Sequence, residues 1–129
     1  MEIRNNYKKE KLLNSGIYTN IYQAKNIKLG NYVAIKEINK KKYNKLTNHS
    51  FKKEEIIKNI NINDSIKLIE IIDSKENFYI IMNLCLINLD EYIKIRDQPL
   101  SINEIREILI QINELIIKCT IKSFLLMNN

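Results

Sequence analysis

Glycine is almost absent from this sequence, with two in 129 residues, and it is accompanied by one proline and no tryptophan. So few chain breakers exclude collagen-like, Gly/Ser-linker and Pro-rich organisation, and no linker of that kind divides the chain. Cysteine is scarce too. Cys85 and Cys119 lie far apart and make no metal-ligand spacing with the single His49, which excludes a disulfide-stapled scaffold and leaves free thiols in a reducing compartment as the expectation. The charged start, MEIRNNYKKEK, has no apolar run behind it, so it is not a secretory signal, and no apolar segment reaches the length of a membrane span. A cytoplasmic or nuclear, intracellular protein without membrane contact is the expectation.

What is present is enough for one small domain. Hydrophobic residues make up 45% and charged residues 28% of the chain, so it can bury a core and is not disordered by composition. Isoleucine, asparagine and lysine supply roughly half of all residues, a skew that AT-rich codons would produce. Many Asn and Lys positions therefore carry no chemical message. The formal charge of +6 is spread along the chain apart from one denser run, NKKKYNK, Asn39 to Lys45. That run lacks the repeated aromatic interleaving of a single-strand binder, so it reads as a solvated loop, and nucleic acid is not an expected partner.

The first half reads as strands. IYQAKNIKLG leads through a turn at Gly30-Asn31 into YVAIKEI, where Tyr32, Ala34 and Lys36 point one way and Val33, Ile35 and Glu37 the other. HSFKKEEIIKNI follows as a helix from about Ser50 to Ile60 with Ser50 as its cap. IKLIEII and FYIIMNL are two more strands across the polar turn DSKEN. Beyond Leu84, LDEYIKI suggests a short helix. Ser101 and Glu104 then form a capping box at the head of a long one, along which Ile105, Ile108, Leu109, Ile112, Leu115, Ile116 and Cys119 recur at helical spacing.

One glycine-poor stretch, LLNSGIYTNIYQAK, has the outline of a phosphate-binding loop between strands, and VAIK, Val33 to Lys36, lies beyond it. Together they resemble the amino-terminal lobe of a eukaryotic protein kinase. The family's GxGxxGxV pattern falls on Asn14, Gly16, Thr19 and Ile21, with Tyr18 at the aromatic loop tip. VAIK matches the family's third-strand motif letter for letter, at the family's interval from Gly16. The resemblance implies that Lys36 binds the α- and β-phosphates of ATP, that Ala34 and Ile21 sandwich the adenine, and that Lys36 faces the cleft beneath the loop from Asn14 to Thr19. It asks for a glutamate partner to Lys36. Glu54 follows Phe51 by the family's spacing, whereas an ungapped count from Met82 puts Lys53 there; Glu55 is a further candidate. Met82 falls at the gatekeeper position. The backbone of Asn83 and Cys85 falls on the adenine-binding hinge.

By the same resemblance LSINEIREILIQIN is the first long helix of the carboxy-terminal lobe. FLLMNN then falls on the catalytic loop, with Leu126, Met127 and Asn128 in place of His-Arg-Asp. Asn128 has no useful basicity at the catalytic-base position, and the motif that supplies the magnesium-binding aspartate does not occur in the sequence. The whole resemblance implies an α+β fold: a five-stranded antiparallel sheet with one helix over about residues 7–84, then the hinge, one short and one long helix of an incomplete carboxy-terminal lobe over 85–129. It implies a kinase-family chain, of Ser/Thr type more than tyrosine type, with weak or lost ATP binding, magnesium only with the nucleotide, and no intact catalysis. Asn14 is expected to soften the loss of the first glycine by tolerating left-handed backbone angles, and Thr19 to be the costlier change. The alternative is a pseudokinase fragment that docks a protein partner through the apolar face of Ile105, Ile108, Leu109, Ile112, Leu115 and Ile116.

Overall fold

The computed structural model describes residues 2–60, 67–85 and 87–127. The chain forms two compact units, Met1–Glu55 with Ile66–Cys85, and Ile56–Ser65 with Leu86–Asn129.

The first unit is built on an antiparallel sheet. Its strands are β1 (Glu2–Ile3), β2 (Tyr7–Ser15), β3 (Thr19–Asn26), β4 (Tyr32–Asn39), β5 (Leu68–Asp73) and β6 (Asn77–Asn83), ordered β1-β2-β3-β4-β6-β5. Five of them are the expected strands. The sixth, β1, is two residues long and pairs with the start of β2 through a turn at Arg4 and Asn5, whose φ angles are 48° and 55°. Two consecutive left-handed residues give the twist that a tight hairpin needs. What keeps so short a strand in place is Ile3, only 4% exposed and part of the core.

The β3–β4 hairpin turns through Asn26, whose side-chain oxygen accepts from the amides of Lys28 and Leu29 at 3.1 Å each, and Gly30 supplies the positive φ of 76°. At the β5–β6 turn the Ser74 hydroxyl donates to the Asn77 carbonyl at 2.8 Å. Alternation along β4 puts Val33 and Ile35 into a cluster with Ala24, Ile72, Tyr79 and Ile81. Each large aliphatic side chain buried there contributes about 1.5–3 kcal/mol. The sheet curls over this cluster until its ends meet: the Tyr7 hydroxyl on β2 donates to Glu70 on β5 at 2.8 Å, and Arg4 donates to the Asp73 carbonyl at 3.1 Å.

Burial, with Glu70 as the acceptor of its proton, pushes Tyr7 up from 10.0 to about 12. A raised value means that the contribution is complete below the unfolded value of 10.0 and is lost as pH rises towards 12. Tyr7→Phe is expected to lower stability by about 1 kcal/mol at neutral pH, the net worth of one hydrogen bond to a charged group after solvent screening. Denaturant midpoints measured at pH 8 and 11.5 check this, since the gap between wild type and variant should close at the higher pH.

Inside the same curl lies a charge pair that composition gives no hint of. The Lys9 ammonium bonds the Glu37 carboxylate, their side chains 11% and 14% exposed, and sits 4.4 Å from the Tyr22 ring centroid and 5.5 Å from that of Tyr79.

The lysine-rich run expected to be a loop is a helix, α1 (Lys40–Thr47). Asn39 caps it by accepting from the Lys42 amide at 2.9 Å, and Asn48 closes it in the left-handed conformation at φ 55°. Its first turn holds three lysines and no acid, the wrong sign for a helix amino terminus. Asp73 offsets this by accepting from Lys40 at 2.5 Å, with Lys53 3.7 Å away. The Lys40 hydrogen bond, aided by the charges of Lys40 and Lys53, holds the Asp73 carboxyl below its usual range.

The next helix, α2 (Lys53–Ile60), starts three residues later than Ser50. Phe51 accounts for the delay: its amide donates to the Asn44 side chain at 2.6 Å, and its ring packs on Phe78 with centroids 5.3 Å apart, so tertiary contact claims the residues of the expected first turn.

The second unit contains α3 (Leu89–Lys94) and α4 (Ile102–Met127). Asn88 and Glu91 form a capping box on α3. The expected box on α4 is present, with the Glu104 amide donating to Ser101 Oγ at 3.1 Å and the Ser101 amide to the Glu104 carboxylate at 2.7 Å. That amide chiefly, with Arg96 bonded at 2.9 Å, holds the Glu104 carboxyl low. Because α4 contains no glycine or proline, nothing stops it before Met127. Among the described residues no helix is long and apolar enough to cross a membrane.

Candidate nucleotide-binding face

Residues directly opposite each other in an antiparallel ladder share a face of the sheet. Lys36 on β4 lies opposite Ile21 on β3 and Ile80 on β6; Ala34 lies opposite Gln23 and Met82. Ile21 in turn lies opposite Asn14 on β2. One face therefore carries Asn14, Ile21, Ala34, Lys36 and Met82, and it is the face away from the Lys9–Glu37 pair. Ala34 is buried, while Ile21, Lys36 and Met82 are half-buried. The result is a low apolar platform with one ammonium beside it.

Lys36 shares this face with Asn14, which stands just before the tight β2–β3 hairpin. The Gly16 amide donates to the Thr19 carbonyl at 2.7 Å, leaving Ile17 and Tyr18 as the tip. A Cβ on Gly16 would fall 2.7 Å from Thr19 Oγ1. Thr19 is the reason that position 16 needs a residue without a side chain, since its branched side chain would otherwise have to leave its rotamer. The expectation for Asn14 needs correcting: it lies in β2 and is not among the residues with positive φ, so no left-handed tolerance is used there. Its side chain instead accepts from the Ser15 amide at 2.8 Å.

A residue that the sequence reading missed also belongs here. The register slips between Leu12 and Asn14, so Leu13 and Asn14 together oppose Ile21. Such a bulge re-aims side chains, and it brings the exposed Leu13 to the edge of the platform. The signal was available, because Leu13 directly precedes the loop, but a one-residue slip has no signature in a hydrophobic pattern.

Other expected residues do not join the platform. The Lys36 ammonium makes no hydrogen bond or ion pair with any described residue. Glu54 and Glu55 are exposed on the first turn of α2, and Lys53 is turned to Asp73. Neither glutamate braces Lys36. Asn83 lies opposite Val33, hence on the other face, and its amide donates to the Lys67 carbonyl at 3.1 Å. Cys85 is an exposed free thiol. Tyr18 turns its ring onto Tyr43 of α1, centroids 5.2 Å apart and planes at 87°.

Asn128 lies outside the described residues. Leu126 and Met127, which the ungapped alignment puts in the catalytic loop, are helical. Among the described residues no three of His, Cys, Asp and Glu stand together as metal ligands do.

The family model for the protein kinase domain matches residues 7–123 of the chain. No curated protein matches it.

Proposed function

Because the chain belongs to the protein kinase domain family, we propose that the face carrying Lys36 binds ATP, weakly, and that the described residues do no phosphoryl transfer. The observation that carries this is the cross-strand register, which sets Ile21, Ala34 and Met82 around a flat apolar patch with the Lys36 ammonium beside it. The patch suits an adenine ring. A half-buried ammonium without a carboxylate partner among the described residues suits the phosphates, since it is already partly stripped of water.

Affinity is weak for two reasons. Among the described residues Lys36 has no glutamate to hold its long stem in place, so binding must order it at a cost of about 1–2 kcal/mol. The loop has one glycine, so fewer of its amides reach the phosphates closely. Magnesium enters only with the nucleotide. Phosphoryl transfer needs an in-line nucleophile and metal-held charge, and no base among the described residues flanks Lys36. A thermal-shift titration with ATP, with and without magnesium, on wild type and Lys36→Ala decides the matter. No shift at millimolar ATP ends this reading.

A second reading, docking of a protein partner on α4, is favoured by one observation. Ile105, Leu109, Ile112 and Ile116 are 43%, 59%, 44% and 57% exposed, beside an open groove of about 480 Å³ lined by Ile102, Arg106 and Asn113 among others. Ile108 and Leu115 of the same expected face are half-buried. So continuous an apolar strip is unusual on a monomer surface. Size-exclusion at rising concentration is expected to show association or binding of a hydrophobic dye; a monodisperse monomer that takes up no dye rules it out.

A further inference from the structure

Four aromatic rings in the first unit form a ladder that nothing in the nucleotide reading uses. Tyr18, at the tip of the loop, meets Tyr43 of α1 edge-on at 5.2 Å. Tyr43 meets Phe51, just ahead of α2, at 5.5 Å and 85°, and Phe51 leans on Phe78 of β6 at 5.3 Å and 52°. Phe78 is fully buried and anchors the far end. The backbone runs parallel to the rings. The Asn39 amide, at the cap of α1, donates to the Tyr18 carbonyl at 2.9 Å, and the Phe51 amide donates to Asn44 of α1 at 2.6 Å.

The geometry points to Tyr43 as a positioning residue that fixes the loop tip and couples it to the start of α2. Tyr43 is the middle rung, so neither neighbour reaches the other without it. Its hydroxyl has no hydrogen-bond partner among the described residues, so Tyr43's own share of the coupling is carried by its ring. The helix that carries it presents Lys41, Lys42, Asn44, Lys45 and Leu46 to solvent, and its half-buried residues are Lys40, which bonds Asp73, Tyr43 and Thr47. α1 is in effect a strut whose role is to hold that ring. When α2 shifts, Phe51 shifts with it, Tyr43 follows, and the loop tip either tightens or is released. The consequence for a nucleotide rests on the reading of Asn14 to Thr19 as a phosphate loop; the coupling itself does not.

Amide exchange followed by NMR without nucleotide therefore tests it. The reporters are the Asn39 amide, bonded to the tip, and the Gly16 amide, bonded across the hairpin. In Tyr43→Leu both are expected to exchange about three- to tenfold faster, the loss of an edge-to-face pair, while the Ile35 amide in the core changes less. Tyr43→Phe is expected to restore wild-type protection. Phe51→Leu, which does not touch the loop, is expected to loosen the same two amides. Ile81→Val, a core change away from the ladder, serves as the control for general loss of stability and should leave the ratio of loop to core exchange as in wild type.

Unchanged loop exchange in Tyr43→Leu or in Phe51→Leu overturns the proposal. So does a phenylalanine variant as loose as the leucine one, or a control that shifts the ratio equally. If the loop responds as expected but ATP stabilises none of the variants, the nucleotide reading fails and the coupling stands.

Discussion

Glu37→Ala is expected to cost about 3 kcal/mol and to lower the thermal midpoint by about 10 °C. The reason is what the substitution leaves behind. Lys9 is held under the rings of Tyr22 and Tyr79 in the curl of the sheet, and its side chain is only 11% exposed. Without Glu37 the ammonium has ring faces but no counter-ion, and an uncompensated charge at that depth costs far more than a lost surface contact. The comparison within the molecule is Lys94 with Asp90 on α3, about 70% exposed on both sides, whose loss should be barely measurable. Replacing both partners, Lys9→Met with Glu37→Leu, should recover most of the loss, because matched apolar groups need no counter-charge. Thermal melts of the two single variants and the double variant check this; equal loss in the double variant and in Glu37→Ala would contradict the account.

Lys36→Ala, one residue away on the same strand, is expected to do the opposite. It should leave the midpoint of the free protein within about 1 kcal/mol of wild type, since the Lys36 side chain is only half-buried and has no partner among the described residues. It should abolish stabilisation by ATP. At ATP fifty-fold above its dissociation constant, mass action stabilises the wild type by about 2.3 kcal/mol, or several degrees. The alanine variant should shift by less than a quarter of that at the same concentration. A variant that still shifts like wild type would place the nucleotide elsewhere. Neighbouring residues on one strand thus separate fold from function, because alternation sends Glu37 into the curl and Lys36 onto the platform.

That alternation was legible in the sequence. VAIK and its flanks give both faces of β4 directly, and the Ser101–Glu104 box gives the start of α4 to the residue, because local side-chain to backbone bonds leave a local signature. The Lys9–Glu37 pair was not legible: its members lie 28 residues apart, and any of several lysines in the chain could have served. α1 was hidden for a different reason. Its helix is stabilised by two asparagine caps, by Asp73 from β5 and by the rings on either side of Tyr43, while its own sequence, KKKYNKLT, has no apolar stripe. Tertiary contact outweighed a weak local preference. The partner of Lys36 was undecided between Lys53 and the two glutamates because one residue of slip exchanges them. In the structure Lys53 lies 3.7 Å from Asp73 and both glutamates are exposed.

The short strand at the start of the chain leaves most of its neighbour uncovered. β1 pairs only with Tyr7 and Lys8, so from Lys9 to Ser15 the outer margin of β2 has no strand beside it among the described residues. An open margin is a template on which other chains can polymerise. Here it is broken by two bulges and carries Lys11, which would have to be brought against its own copy in any stacked assembly. A lysine that looked like a by-product of nucleotide composition thus acts as a gatekeeper, and Lys11→Val should turn a well-behaved solution into one that forms fibrils.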